Sequence, residues 1–255
     1  MTTLYLAWQH RSSRRWFPVG RLIRRNSGTP EFEFTYIQGA REAEKCAGFK
    51  TIPAFPSLET RYRSSELFPT FRNRVMNGSR VDRPVYLQQL GLDANACDEL
   101  TELSVSGGRS YSDTFEVFPR VTPDPDGRFR TQLMLHGLRH TNPHAIEAVQ
   151  RLRPHDELRV AVEVNNPVAT HAILVCTQDY YVLGWLPRYV AEGIHRGGNW
   201  TVAEAKASVA RVNQDAPLSH QVLLDFSGRL PPGVDPMRDL QQYRPITEPS
   251  PSVSG

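Results

Sequence analysis

The sequence predicts an α+β protein. Its first half mixes an antiparallel sheet with helices, and its second half is richer in strands with short helices between them. Three observations carry this. Short segments of alternating or continuous apolar character, bounded by turn residues, recur near both ends of the chain. Apolar residues at helical spacing fill the stretches between them. A loop signal, Thr122-Pro123-Asp124-Pro125-Asp126-Gly127, divides the two regions. At 255 residues the chain has room for two domains of about 100–150 residues. The expected division is residues 1–122, residues 128–230 and a Pro/Ser-rich tail over 231–255.

Leu4 to Trp8 reads as a strand, Arg11 to Arg15 as a polar turn, and Trp16 to Leu22 as the start of a second strand. Phe32, Phe34 and Tyr36 alternate with Glu33 and Thr35, which predicts a half-buried third strand. Ala40 to Ala47 suits a short helix, stopped before Pro53 and Pro56. Leu67, Phe68, Phe71 and Val75 predict a helix over 65–76 with one buried face. A helix over Pro84–Leu90 ends at Gly91, a natural C-cap. The paired acids Asp98-Glu99 and Asp156-Glu157 read as turns. Gly107-Gly108 is a turn ahead of a strand over Asp113–Phe118.

Phe129 to Leu138 reads as a strand. Asn142-Pro143 is an N-cap followed by proline at the first helical position, and Ala145, Ile146, Ala148, Val149 and Leu152 give that helix an apolar face. Strands follow over Leu158–Val164, Ala172–Thr177 and Tyr181–Leu186, with a turn over Asn165–Thr170. Pro187 opens a helix to Ile194, and Ala207–Val212 and Gln221–Phe226 are the final strands. The last dozen residues are expected to be a loose tail.

Hydrophobic residues make up 39% and charged residues 22%, which permits a packed core. The net charge is +3, unevenly placed: residues 1–140 carry 20 basic and 15 acidic groups, and the remainder carries 10 and 12. Only Lys45, Lys50 and Lys206 are lysine. Arginine suits bidentate phosphate contacts, although biased genome composition produces the same excess. Cys46, Cys97 and Cys176 are widely spaced and form no CxxC pair, so neither a zinc finger nor a disulfide framework is expected. No apolar run approaches the roughly 20 residues that cross a bilayer, and the first residues lack a leader pattern. The expectation is a soluble, cytoplasmic protein without membrane contact, able to associate with the nucleoid.

Four fragments of the second half, in order, resemble the HIRAN family over residues 130–228. They are Gly137-Leu138-Arg139-His140; Glu163 with Asn166-Pro167; His171-Ala172-Ile173-Leu174-Val175; and Leu183-Gly184-Trp185-Leu186-Pro187-Arg188. The resemblance implies a small OB-like β-barrel with short helices that captures single-stranded DNA, in some members at a free 3′ end. It places nucleic-acid contacts at Arg139, His140, Asn166, His171, Trp185 and Arg188. Val168 and Ala169 stand where members that grip a 3′-hydroxyl carry an aromatic and an aspartate, so strict end recognition is not implied.

The first half is similar to the N-terminal subdomain of HipA-type proteins. The matching residues are Val19-Gly20-Arg21-Leu22; Phe32, Phe34 and Tyr36; Leu67-Phe68-Pro69 with Asn73-Arg74; and Gly107-Gly108-Arg109 ahead of the strand ending at Pro119. No catalytic-loop or metal-binding signature of a kinase accompanies them. This implies a non-catalytic scaffold or partner-binding piece.

Each candidate has a plainer reading. Tyr180 and Tyr181 are adjacent, so one should point inward and the other outward as a base-stacking platform. Trp185, between Leu183 and Leu186, suits a core position as well as stacking. Arg11, Arg14, Arg15, Arg21, Arg24 and Arg25 concentrate positive charge around a predicted hairpin, either as a phosphate-contacting patch or as a solvated surface. His136, His140 and His144 are four apart, but Gly137 and Pro143 interrupt a shared helix, so no metal site is expected. No Lys-Ser/Thr follows Gly107-Gly108, which excludes a P-loop, and no G-x-S-x-G elbow occurs. No cofactor and no catalytic residue is therefore expected. The expected function is a DNA-binding accessory or targeting protein, for single strands, ends or junctions, in bacterial defence or DNA maintenance. The alternatives are a protein-interaction scaffold or antitoxin-like partner, and a nuclease subunit of a larger complex.

Overall fold

The computed structural model describes residues 1–25, 31–95, 97–110, 112–165, 172–196 and 202–247. Asn166 and His171 lie outside these residues, as do Val168 and Ala169.

Two antiparallel sheets form the frame. The first has the order β4-β3-β2-β1-β5, from β1 (Thr2–Gln9), β2 (Trp16–Arg25), β3 (Glu31–Tyr36), β4 (Tyr62–Ser64) and β5 (Phe115–Pro119). One of its faces carries Leu4, Leu6, Leu22, Phe34 and Tyr36. That face packs on α1 (Gln38–Ala47), the ring of Phe55 and the short turn α2 (Pro69–Arg72). The rings of Phe34 and Phe55 stack with centroids 4.1 Å apart. A bulge between Leu6 and Ala7 shifts the register, so Leu6 faces Gly20 and Ala7 faces Pro18.

The helix α3 (Arg83–Gln89) ends as expected with Gly91 in the left-handed region, at φ 71°. Next, α4 (Glu99–Ser106) is a helix that the sequence pattern does not announce. Asp98, assigned to a turn, is its N-cap, and the carboxylate accepts from the Thr101 backbone N–H. The helix expected over 65–76 shrinks to the single turn α2. Phe68 precedes Pro69 and is extended, at φ −56° and ψ 140°, because the proline ring disfavours helical backbone in the residue before it.

The second sheet has the order β6-β11-β10-β7-β8-β9, from β6 (Arg128–Met134), β7 (Glu157–Glu163), β8 (Ala172–Cys176), β9 (Val182–Trp185), β10 (Lys206–Val212) and β11 (Val222–Arg229). Its two ends meet: His136, just beyond β6, exchanges two backbone hydrogen bonds with Trp185 at the end of β9, at 2.9 and 2.8 Å. The sheet therefore curls until its first and last strands touch. The strand expected to reach Leu138 stops at Met134. Gly137 turns the chain at φ 84°, and Leu138–His140 form a 3-10 turn. Asn142 caps α5 (Pro143–Arg151) as expected, accepting from the Ala145 N–H at 2.9 Å. Helix α6 (Arg188–Arg196) follows β9.

The third strand is not half-buried. Glu33 and Thr35 are 2% and 1% exposed, because both faces of the first sheet are covered. Glu33 lies beneath the guanidinium groups of Arg25, Arg61 and Arg63. Elsewhere on that face Tyr5, Ala7 and Phe118 share one apolar core with the second sheet and α6, and the rings of Phe118 and Tyr189 stack at 4.2 Å.

The described part of the segment assigned to a tail, residues 231–247, also joins this core. The turn α7 (Pro236–Asp239) buries Met237, and Tyr243 packs edge-on against Tyr5 at 4.8 Å. The Ile246 N–H donates to the Tyr36 carbonyl, and Pro245 bridges to Ile37. Two apolar residues six positions apart override a composition that reads as disordered. The three cysteines are unpaired: Cys46 is exposed, Cys97 half-buried and Cys176 buried. Among the described residues no helix is long and apolar enough to cross a membrane.

Candidate nucleic-acid interface

A cleft of about 500 Å³ opens where the two sheets meet. Gln9 and Trp16, at the ends of β1 and β2, reach it with Arg14 between them, and Arg109, Ser110 and Asp113–Glu116 reach it from the approach to β5 and its first residues. Gly137 to His140 and Leu218-Ser219 close the other side. Local backbone geometry aims these groups. Arg14 sits in the left-handed region at φ 56°, with its carbonyl held by Gln9 Nε2 at 3.0 Å. Gly107 ends α4 at φ 74°, which swings Arg109 toward the second sheet.

The floor of the cleft is a buried polar cluster. The Glu116 carboxylate accepts from the Tyr189 hydroxyl at 2.6 Å and from Arg109 Nη2 at 3.1 Å, with His136 Nε2 at 3.3 Å. Burial by itself would raise the Glu116 pKa, but Arg109, His136 and Tyr189 outweigh it and hold the group below the usual carboxylate range. His136 goes down, first through burial and then through the Arg109 charge, which opposes the pull of Glu116. Arg109 also contacts His136 directly, which suits a neutral imidazole. The second acid of the cleft, Asp113, is tied to Arg74. Both carboxylates are thus committed to arginines.

The cations at the rim are not. Arg14 and Arg139 are exposed, and neither has an ion-pair partner among the described residues. Arg139 Nε donates to His140 Nε2 at 3.0 Å, so this pair lies together at the cleft. Trp16 and Phe115 supply aromatic surface, Trp16 packing edge-on against Tyr189 at 5.6 Å.

Other expected site residues lie elsewhere. The Trp185 indole donates to Glu163 Oε2 at 2.7 Å and lies against Gly137, so the ring supports the cleft wall from behind. Arg188 begins α6, is partly buried, and pairs with Glu192 at 2.8 Å outside the cleft. Tyr180 and Tyr181 are both exposed, at 70% and 37%. They stand in a turn before β9, with Tyr180 at φ 64°, where strand alternation does not apply. Tyr181 borders a separate groove with Asp156, Glu157 and Asp179, and Arg159 stacks over Tyr180 at 4.6 Å.

The basic patch is dispersed. Arg15 pairs with Glu42, Arg24 with Asp98 and Arg25 with Glu33. Arg21 points to the sheet face beside Tyr5, away from Arg24, because β2 alternates its side chains. Only Arg14 of the set lines the cleft. His136, His140 and His144 fall in three settings: the buried cluster, the cleft rim and an exposed pair with Glu147.

Glu116 and Tyr189 were not singled out by the sequence. The available signal is a lone carboxylate, Glu116, between Phe115 and Val117 in the strand expected over Asp113–Phe118. His136 and Arg109 were noticed, but for a metal pattern and a family fragment.

Neither a scan against protein-family models nor a search of curated proteins finds a match. Among solved structures, a protein from Lactobacillus plantarum is 19% identical, with a TM-score of 0.30 over 40% of this chain and 97% of that chain. The HIRAN domain of human HLTF is 17% identical, with a TM-score of 0.28 over 40% of this chain and 77% of that chain. The resemblance of the first half to HipA-type proteins stays an expectation of the sequence.

Proposed function

We propose that this chain is a non-catalytic nucleic-acid-binding protein that holds single-stranded DNA, at ends or junctions, in the cleft between its sheets. It acts as an accessory or targeting protein. One observation carries this reading: the cleft presents Arg14, Arg139 and His140 beside Trp16, while both of its carboxylates are already neutralised by arginines. A strand needs cations for its phosphates and flat apolar surface for its bases, and no free acid to repel it. The sequence resemblance to HIRAN domains implies the same ligand class. The engagement of Glu116 and Asp113 also argues against a nuclease, because a base or metal ligand would have to be released from its arginine first.

The test is a polarisation titration of labelled single-stranded, duplex and 3′-overhang DNA at two salt concentrations. Arg14→Ala and Arg139→Ala should each weaken single-strand binding about three- to tenfold, the size of ~1 kcal/mol of lost charge-assisted contact. Affinity should fall as salt rises. Arg188→Ala, outside the cleft, should bind like wild type. If no oligonucleotide binds, or Arg139→Ala leaves the affinity unchanged, the cleft is not the site.

A second reading has one observation in its favour. The exposed Tyr180 and Tyr181 beside Asp156, Glu157 and Asp179 form a surface suited to a protein partner. A double Tyr180→Ala, Tyr181→Ala variant that binds DNA like wild type would assign those rings to something other than the strand.

A further inference from the structure

The first sheet carries a second concentration of arginine, on the face it shares with Tyr5. Cross-strand register puts Tyr5, Arg21 and Thr35 in one row over β1, β2 and β3. The next row on the same face runs through Thr3, Ile23, Glu33 and Arg63. Arg120 leaves β5 beside Thr3, bonded to its carbonyl, and Arg61 precedes β4. Arg21 lies five residues along β2 from Trp16, about 16 Å at ~3.3 Å per residue, so this face is distinct from the cleft.

The acids here are committed. Glu33 has Arg25, Arg61 and Arg63 at 3.6, 3.7 and 3.4 Å. Asp235 pairs with Arg120 and also caps α7 by accepting from the Arg238 N–H. Arg21 differs: among the described residues no carboxylate comes within ion-pair distance of it, yet it is partly buried. Burial is the largest influence on it and lowers its pKa; Tyr5 and Glu33 pull the other way, and the charges of Arg61 and Arg120 add to the lowering. Four buried polar atoms of the face also lack a hydrogen-bond partner: Glu33 Oε2, held by ion pairs alone, and three others, Arg21 Nε, Arg120 Nε and Thr35 Oγ1. These last three can donate. A partly desolvated guanidinium between two others, next to unused donors, is unfavourable unless an acceptor carrying negative charge joins it.

We propose that this face holds a phosphate group, a monoester or diester, with Arg21 at its centre, Thr35 donating beside it, and Arg61 and Arg120 on either side. The planar guanidinium fork matches two phosphate oxygens at once. The site does not depend on the cleft reading, and the experiment keeps the two apart by counting only the response that Arg21 variants lose relative to their Arg139→Ala parent.

The probes are inorganic phosphate, against chloride at matched ionic strength, and an oligothymidylate without a terminal phosphate. Readouts are thermal melting and phosphorus NMR line width. Phosphate should raise the melting temperature of the Arg139→Ala protein. Adding Arg21→Lys, which keeps the charge and removes the fork, should weaken phosphate binding at least tenfold, and adding Arg21→Met should abolish it. Without ligand, Arg21→Met should melt no lower than its parent, since an unpaired partly buried charge is removed. A response to phosphate alone assigns a small phosphate ligand, and a response to both probes assigns a strand backbone. The proposal is overturned if neither probe binds, or if both Arg21 variants respond like their parent.

Discussion

The Tyr189 hydroxyl donates to the Glu116 carboxylate across 2.6 Å, tying α6 to β5 where the two sheets meet. The same ring stacks on Phe118. Tyr189→Phe keeps the stacking and leaves a buried carboxylate one donor short. Losing a hydrogen bond to a charged group costs about 1.5–3 kcal/mol, which for a chain of this size lowers the melting temperature by on the order of 5 °C. Calorimetric melting checks it, and a shift below 1 °C would mean that the carboxylate finds another donor.

The cluster also sets an acid limit. His136 and His220 are both pushed below the ordinary imidazole pKa, each first by burial and then by Arg109. Unfolded histidine takes up protons near pH ~6.5, while the folded chain resists. This share of stability is therefore fully present above that pH. It is lost as pH falls from there through the folded values. Urea midpoints measured from pH 7.5 downward should drop, and a His136→Gln, His220→Gln double variant should show a shallower drop below pH 6.5. Parallel curves for wild type and variant would remove these histidines as the cause.

Gly137 is held at φ 84°, and a Cβ there would stand 2.6 Å from the Trp185 ring. Gly137→Ala must strain the backbone by about 1–2 kcal/mol and displace the indole as well. Trp185 carries both backbone bonds that bring β9 to His136. The variant should therefore melt lower and show altered tryptophan fluorescence. Unchanged fluorescence together with wild-type stability would contradict the packing described.

Asn142 caps α5 with its side chain. Asn142→Ala should cost about 1 kcal/mol, and Asn142→Ser much less, in equilibrium urea unfolding. Equal losses in both would place the role of Asn142 elsewhere.

Local signals were legible wherever backbone chemistry decides locally. The Asn142-Pro143 start, the Gly91 stop and the short apolar strands from Leu4 to Trp8 and Ala172 to Cys176 follow from capping, φ preference and continuous apolar runs bounded by turn residues. Where those signals misled, a neighbour distant in sequence had intervened. Glu33 alternates like a solvent-facing residue but lies under three arginines from β2, β4 and the loop before β4. Tyr243 sits in a polar, Pro-rich stretch but packs on Tyr5, far back in the chain.

The sequence by itself determined the α+β class, most strands and several helix ends, since these depend on residues within a few positions of one another. It also marked Arg139 and His140 as neighbours at a turn. Only the tertiary structure decided which charges are free. Arg14 and Arg139 stand at a cleft while Arg15, Arg24, Arg25 and Arg188 are paired, and Glu116, Arg109, His136 and Tyr189 converge from four separate segments. Charge counts along a chain carry no distances, and at the separations between folded segments distance alone decides whether an arginine is neutralised or left to bind.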